Sequence, residues 1–206
     1  MRIEIKKSIK PVNYSKAIKF LEKRLDQISK NKAKELIWIL EHPSIYTSGN
    51  VIDKKDILDN SIKIIKTSRG GKITWHGPGQ IVCYLVINLN NRKKNIRNFL
   101  NIIESSIINT LKEFGINSYA DRKNIGIWVN TKSGEKKIAA IGIKIKKWIT
   151  FHGFSLNINN DLGSYKKIIP CGIMDREVTN LNNIKKQDYT KISHLLEKYL
   201  IKKLKI

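Results

Sequence analysis

Residues Ile81 to Leu89 read IVCYLVINL, a nearly unbroken apolar run rich in β-formers. A strand of this composition has no solvent face, so it needs cover on both sides. The rest of the chain supplies that cover. Tyr14 to Lys32 places Ala17, Ile18, Leu21, Leu25 and Ile28 at three- and four-residue spacings between charged residues, the pattern of an amphipathic helix. Ile96 to Phe114 has the same period and stops at Gly115. Tyr189 to Leu204 predicts a Lys-rich amphipathic helix. Further strands are expected at Leu36–Leu40, Ser61–Lys66, Ile125–Asn130, Lys137–Ile145 and Trp148–Ile158. The pair before Trp148 is joined through a Thr131–Glu135 hairpin turn. There is no repeat and no linker-like stretch. Helices mixed with hairpin strands argue an α+β fold in one domain spanning 1–206.

Hydrophobic residues make up 41% of the 206, enough for a real core. Met1 to Pro11 alternates polar and apolar residues and does not read as a signal peptide. No segment reaches the roughly 18 apolar residues that span a membrane. The expected location is cytoplasmic. The two cysteines, Cys83 and Cys171, do not suggest a disulfide framework, and no His/Cys cluster has metal-ligand spacing, so no metal is expected. The formal charge of +23 suggests either nucleic acid or an acidic protein partner. The basic residues are spread from end to end with no aromatic-interleaved block. Compositional bias toward Ile, Lys and Asn therefore explains most of the charge, and an acidic partner is the stronger functional reading.

Three stretches break this composition. The first is Arg69-Gly70-Gly71-Lys72-Ile73-Thr74-Trp75-His76-Gly77-Pro78-Gly79-Gln80. Its glycines allow close backbone approach to a ligand, but it is neither a Walker A loop nor a dinucleotide fingerprint. The second is Lys137-Ile138-Ala139-Ala140-Ile141-Gly142, a lysine followed by small and apolar residues on an expected strand. The third runs from Phe151-His152-Gly153-Phe154-Ser155 to Ile169-Pro170-Cys171-Gly172-Ile173. Cys171 sits between Pro and Gly at a bend, where a thiol is accessible. Cys83 lies inside the apolar run and is expected to be buried and inert.

RGGKITWHGPGQ, KIAAIG, TFHGFSLNI and IIPCGI, in this order, resemble the octanoyl-[acyl carrier protein]:protein octanoyltransferases of lipoate biosynthesis. Glu41-His42-Pro43 followed by Tyr46-Thr47-Ser48-Gly49 is similar to an early motif of that family. The resemblance covers roughly Leu36 to Leu181. It implies a fold similar to biotin and lipoate protein ligases, a mixed sheet packed with helices around an acyl tunnel. It implies a ping-pong acyl transfer with no cofactor. Cys171 would attack octanoyl-acyl carrier protein, and Lys137 would tune or deprotonate the thiol. The acceptor would be a lysine on lipoyl domains of 2-oxoacid dehydrogenase complexes or on the glycine cleavage H protein, with no role for nucleic acid or membrane. Arg69, Gly70, Gly71, Lys72, Ile73, Thr74, Trp75, His76, Ala140, Ile141, Gly142, Gly153, Phe154 and Ser155 would line the substrate. Ser155 stands where the family usually has Ala, and Asn180 where it has Ser.

The chemistry suits these residues. A thioester is already activated, and a thiolate attacks it well. A free cysteine has a pKa of about 8.5, so a neighbouring cation or base is needed near neutrality. Lys137 can stabilise a thiolate as an ammonium or take a proton as a free amine; the two roles need opposite starting states. Cys171 and Lys137 are 171 − 137 = 34 positions apart, so only the fold can join them. Backbone N–H groups near Gly172 or Gly71 are oxyanion-donor candidates. His76 and His152 are candidates for orienting substrate or moving a proton, against a purely structural role. Two other readings compete: an ATP-dependent lipoate or biotin protein ligase of the same fold, which needs a nucleotide loop absent here, and a basic nucleic-acid-binding protein, suggested by charge alone.

Overall fold

The structure, a computed structural model, describes residues 3–49, 53–173 and 176–204, and at Cys171 the main chain only. In chain order its elements are β1 (Glu4–Lys7), α1 (Tyr14–Ser29), β2 (Leu36–Leu40), β3 (Ile45–Ser48), β4 (Ile64–Lys66), β5 (Thr74–His76), β6 (Gln80–Val86), α2 (Ile96–Glu113), β7 (Tyr119–Ala120), β8 (Ile127–Thr131), β9 (Gly134–Lys146), β10 (Ile149–Asn157), β11 (Glu177–Val178), α3 (Leu181–Ile184) and α4 (Ile192–Leu204).

The apolar run forms the centre of the main sheet, whose order is β1-β2-β6-β10-β9-β8-β7 with β11 added to β9. β1–β2 and β9–β11 are parallel, and the other pairs are antiparallel, so the sheet is mixed. Successive side chains of β6 go to opposite faces, as a period of two requires. Val82, Tyr84 and Val86 pack with Ala17, Leu21, Leu25 and Ile28 of α1. Cys83 and Leu85 pack with Phe99, Ile103 and Ile107 of α2 and Leu196 and Leu200 of α4. Helices thus cover both faces, the arrangement the run demanded. A second sheet, β4-β3-β5, leans over one end with its own small core of Ile73, Trp75, Tyr165 and Ile168.

Several boundaries move for local reasons. The central strand stops at Val86, because the Asn88 side chain caps a short turn by accepting from Asn90 N at 3.0 Å. The strand expected over Ser61–Lys66 is only Ile64–Lys66, since Asp59 accepts from Ser61 N in a turn at 2.9 Å. The hairpin turn is shorter than expected, because β9 begins at Gly134 and runs for 13 residues. β5 lies inside the glycine-rich stretch, which reads as loop in sequence.

The last turn of α4 is fastened by a buried ion pair. Glu35 is 1% exposed, accepts from Asn88 N at 2.8 Å and meets Arg92 at 2.6 and 2.8 Å. Arg92 also donates to the Leu204 carbonyl. Removing one partner leaves an uncompensated buried charge, typically a loss of about 3–5 kcal/mol. Arg92→Ala is therefore expected to lower unfolding free energy by about that amount in urea titrations; a loss below about 1 kcal/mol would mean the pair is solvated.

Candidate active site

Against β6, β9 and β10, on the side of α1, the glycine-rich loop closes a cavity of about 60 Å3. Arg69, Gly70, Gly71, Lys72, Thr74, His76, Ala140, Ile141, Gly142, Gly153, Phe154 and Ser155 line it, all of them expected from the sequence. Tyr14, Val82, Tyr84 and His152 complete the wall. Ile73 and Trp75 do not line it. They alternate with Thr74 and His76, so they face the other way into the small core with Tyr165 and Ile168. The two tyrosines and Val82 escaped notice because they occupy apolar positions of amphipathic or apolar runs and read as core.

The walls come close because glycines allow it. A Cβ on Gly153 would collide with the Cys83 carbonyl, so this residue lets β10 lie against β6. Gly142 faces the Gly70 carbonyl, 3.0 Å from where its Cβ would sit, and Gly70 N donates to Ile143 O at 3.3 Å. The loop is thereby tied across β9.

Arg69 anchors that loop. It donates to the Thr47 carbonyl at 2.7 Å, the Thr47 hydroxyl at 3.0 Å, and the carbonyls of Lys72 and Gly70 at 2.8 and 3.1 Å. Burial pulls His76 down to about 3, helped by His42, Arg69 and His152 and opposed by its bond to Gln80. Burial, with Arg69 and Lys144, pulls His152 down to about 3. Both rings are neutral near pH 7. His76 Nδ1 donates to Gln80 Oε1 at 2.7 Å, and Gln80 in turn donates to Asn157 and Tyr165, each at 2.8 Å. His42 Nδ1 donates to the Val12 carbonyl at 2.5 Å, and its Nε2 accepts from Tyr84 at 2.7 Å. His76 and His42 are thus held in structural networks. His152 is different: it is 2% exposed, takes φ 66°, and its Nε2 has no hydrogen-bond partner among the described residues.

Lys137 lies where β9 bulges. Ile127 pairs with Ala139 but Trp128 with Lys137, leaving Ile138 as the extra residue. The bulge turns the lysine inward, and it is 5% exposed. Its Nζ donates to the Ile125 carbonyl at 3.2 Å and lies 4.9 Å from the Trp128 ring centroid. Lys137, Gly71, Lys72 and Ile173 border one larger cavity of about 520 Å3. Ile173 follows the turn Pro170–Gly172 that carries Cys171. Ile169 N donates to Asp56 O at 2.8 Å and fastens the approach to that turn. The Cys171 side chain lies outside the described residues. Gly172, with φ 69°, lies under the Lys72 side chain, whose Nζ is 3.1 Å from Asp56. Of the two backbone donors expected from sequence, the Gly172 N–H is used by the turn, donating to Ile169 O at 3.0 Å. Cys83 is fully buried, and burial pushes its thiol far up.

Among the described residues no group of three or more His, Cys, Asp or Glu is placed to hold a metal, and no helix is long and apolar enough to cross a membrane.

The neutral histidines have a consequence for stability. Unfolded, each ring takes a proton near pH 6.5; folded, His76 and His152 resist until about 3. The unfolded state therefore binds more protons across that window, and stability falls as pH drops from about 6.5 toward 3. Urea midpoints are expected to fall markedly between about pH 7 and about pH 5, less so in His152→Gln. Equal midpoints for the wild-type chain at both values would contradict the burial of these rings.

Residues 13–199 match the model of the lipoyl protein ligase A/B catalytic domain. An octanoyltransferase from a Wolbachia of Brugia malayi is 44% identical over 93% of this chain and 94% of its own. One from Ehrlichia canis is 45% identical over 88% and 86%. The fold is similar to a solved lipoate-protein ligase A bound with ATP, at TM-score 0.73 and 16% identity over 98% of this chain and 85% of that one. A putative lipoate protein ligase from T. acidophilum gives TM-score 0.72 at 16% identity over the same shares, 98% and 85%. The chain belongs to the lipoyl protein ligase A/B catalytic domain family, and the two relatives described, matched over 94% and 86% of their own length, are octanoyltransferases.

Proposed function

We propose that the protein takes octanoyl from octanoyl-acyl carrier protein as a thioester on Cys171 and passes it to the ε-amine of a lysine on a lipoyl domain. The acceptors are lipoyl domains of 2-oxoacid dehydrogenase complexes and the glycine cleavage H protein, and the reaction is read as cytoplasmic. The carrying observation is the inward-turned Lys137, desolvated beside a cavity that reaches both the glycine loop and the residue following the Cys171 turn. The Ile125 carbonyl and the Trp128 ring hold its ammonium at the border of that cavity. The octanoyltransferase relatives support the same reading.

In the first half-reaction the Cys171 thiolate attacks the thioester carbonyl, and the carrier's thiol leaves with a proton. One thioester replaces another, so this step is nearly balanced. In the second, the acceptor amine attacks the acyl-enzyme, an amide forms, and Cys171 leaves as thiolate. Amide formation is downhill and draws the pair forward. Lys137 serves the proton movements at the thiol and at the incoming amine. The Gly71 N–H, free of any partner among the described residues, is the remaining candidate donor to the tetrahedral oxyanion. The cavity lined by Gly142, Gly153 and Ser155 takes the acyl chain, and the Ser155 hydroxyl adds polarity to its wall.

Intact mass spectrometry after mixing with octanoyl-acyl carrier protein tests the reading. An octanoyl adduct is expected without ATP, removable by hydroxylamine and absent from Cys171→Ala. Strict ATP dependence, or an adduct that persists in Cys171→Ala, would sink it. Lys137→Ala is expected to fold and to transfer at least about 100-fold more slowly; normal turnover would remove the lysine from the mechanism.

A further inference from the structure

The 520 Å3 groove is larger than the chemistry above requires. Its floor is the outer part of β9, where Ile141, Ile143 and Ile145 stand partly buried. Its walls carry Ile96, at the start of α2, and Ile125, ahead of β8. These two are 39% and 48% exposed, an apolar surface that an amphipathic ligand would cover. Every charged residue that lines the groove is a cation: Lys72, Lys123 and Lys137. Lys72 is offset by Asp56, whereas Lys123 is exposed and in no ion pair among the described residues. The acceptor's ammonium is disfavoured among these like charges; an anion carried on a partly apolar chain is favoured.

The groove shares Gly70, Gly71, Lys72, Ile141 and Gly142 with the acyl cavity. A thioester whose acyl chain fills the cavity must therefore direct its thiol-side substituent outward, and the groove is the adjoining space. From Lys137 to Ile145 is eight residues of strand, roughly 26 Å at about 3.3 Å each, long enough for an extended arm.

We propose that this groove seats the phosphorylated pantetheine arm of the donor, with its aliphatic and amide segments along Ile141–Ile145 and its phosphate at Lys123. The proposal rests on the thioester-donor reading above and names the subsite that selects the donor.

The test measures kcat/KM for enzyme acylation with three donors: octanoyl-phosphopantetheine, octanoyl-pantetheine and octanoyl-N-acetylcysteamine. The wild-type chain is expected to prefer the phosphorylated donor over the truncated one by at least about tenfold. Lys123→Gln, at an exposed position, should erase the difference between the phosphorylated and unphosphorylated arms, chiefly through KM. Ile96→Asp should reduce the preference for both long donors over the truncated one. Equal kcat/KM for all three donors in the wild-type chain, or preferences unchanged in both variants, overturns the arm subsite while leaving the acyl-transfer reading intact. Acylation by octanoyl-acyl carrier protein but by none of the three overturns the arm subsite alone; acylation by neither the carrier protein nor the three overturns the thioester reading and the subsite together.

Discussion

The Arg69 guanidinium holds the site together. Its hydrogen bonds reach Thr47 on the small sheet and the carbonyls of Gly70 and Lys72 on its own loop. A buried cation needs such a set of acceptors, because an unsolvated guanidinium is costly. Meeting that need folds the glycine loop back over the main sheet and shapes the cavity beneath it. The same positive charge reinforces burial in keeping His76 and His152 neutral. The cavity is therefore walled by uncharged rings, while the Arg69 guanidinium is turned toward carbonyl oxygens.

A second constraint joins the lysine to the sheet edge. Thr179 N donates to the Lys137 carbonyl at 2.9 Å, and Asn157 donates to the Thr179 carbonyl at 2.9 Å. Asn157 belongs to the network that orients His76 through Gln80. The cavity wall and the segment following the Cys171 turn thus share one hydrogen-bonded frame. A frame of this kind limits the motions available to the side chains it carries, which is how a scaffold supplies orientation.

Much of this was legible beforehand, for identifiable reasons. The run at Ile81–Leu89 specified a strand with two covered faces because its residues up to Ile87 are apolar or aromatic. The helix over Ile96–Glu113 announced itself by period and by Gly115, which takes φ 70° as a C-terminal glycine should. The glycines at 70, 71, 142 and 153 marked close approach. Illegible were features set by partners distant in sequence. Ile73 and Trp75 lie off the cavity because alternation around a three-residue strand, invisible in a glycine-rich stretch, turns them into the small core. Tyr14 lies on the cavity wall because α1 brings its first turn over it.

The covered central strand, the amphipathic helices and the ordered motifs that carry the family resemblance follow from residue type and local period alone. The tertiary structure alone decided that Lys137 is buried and Lys123 exposed. A lysine's surroundings depend on a bulge at Ile138, a tryptophan ring and a distant carbonyl. Nothing local to a strand of alternating Lys and Ile states which ammonium will lose its water.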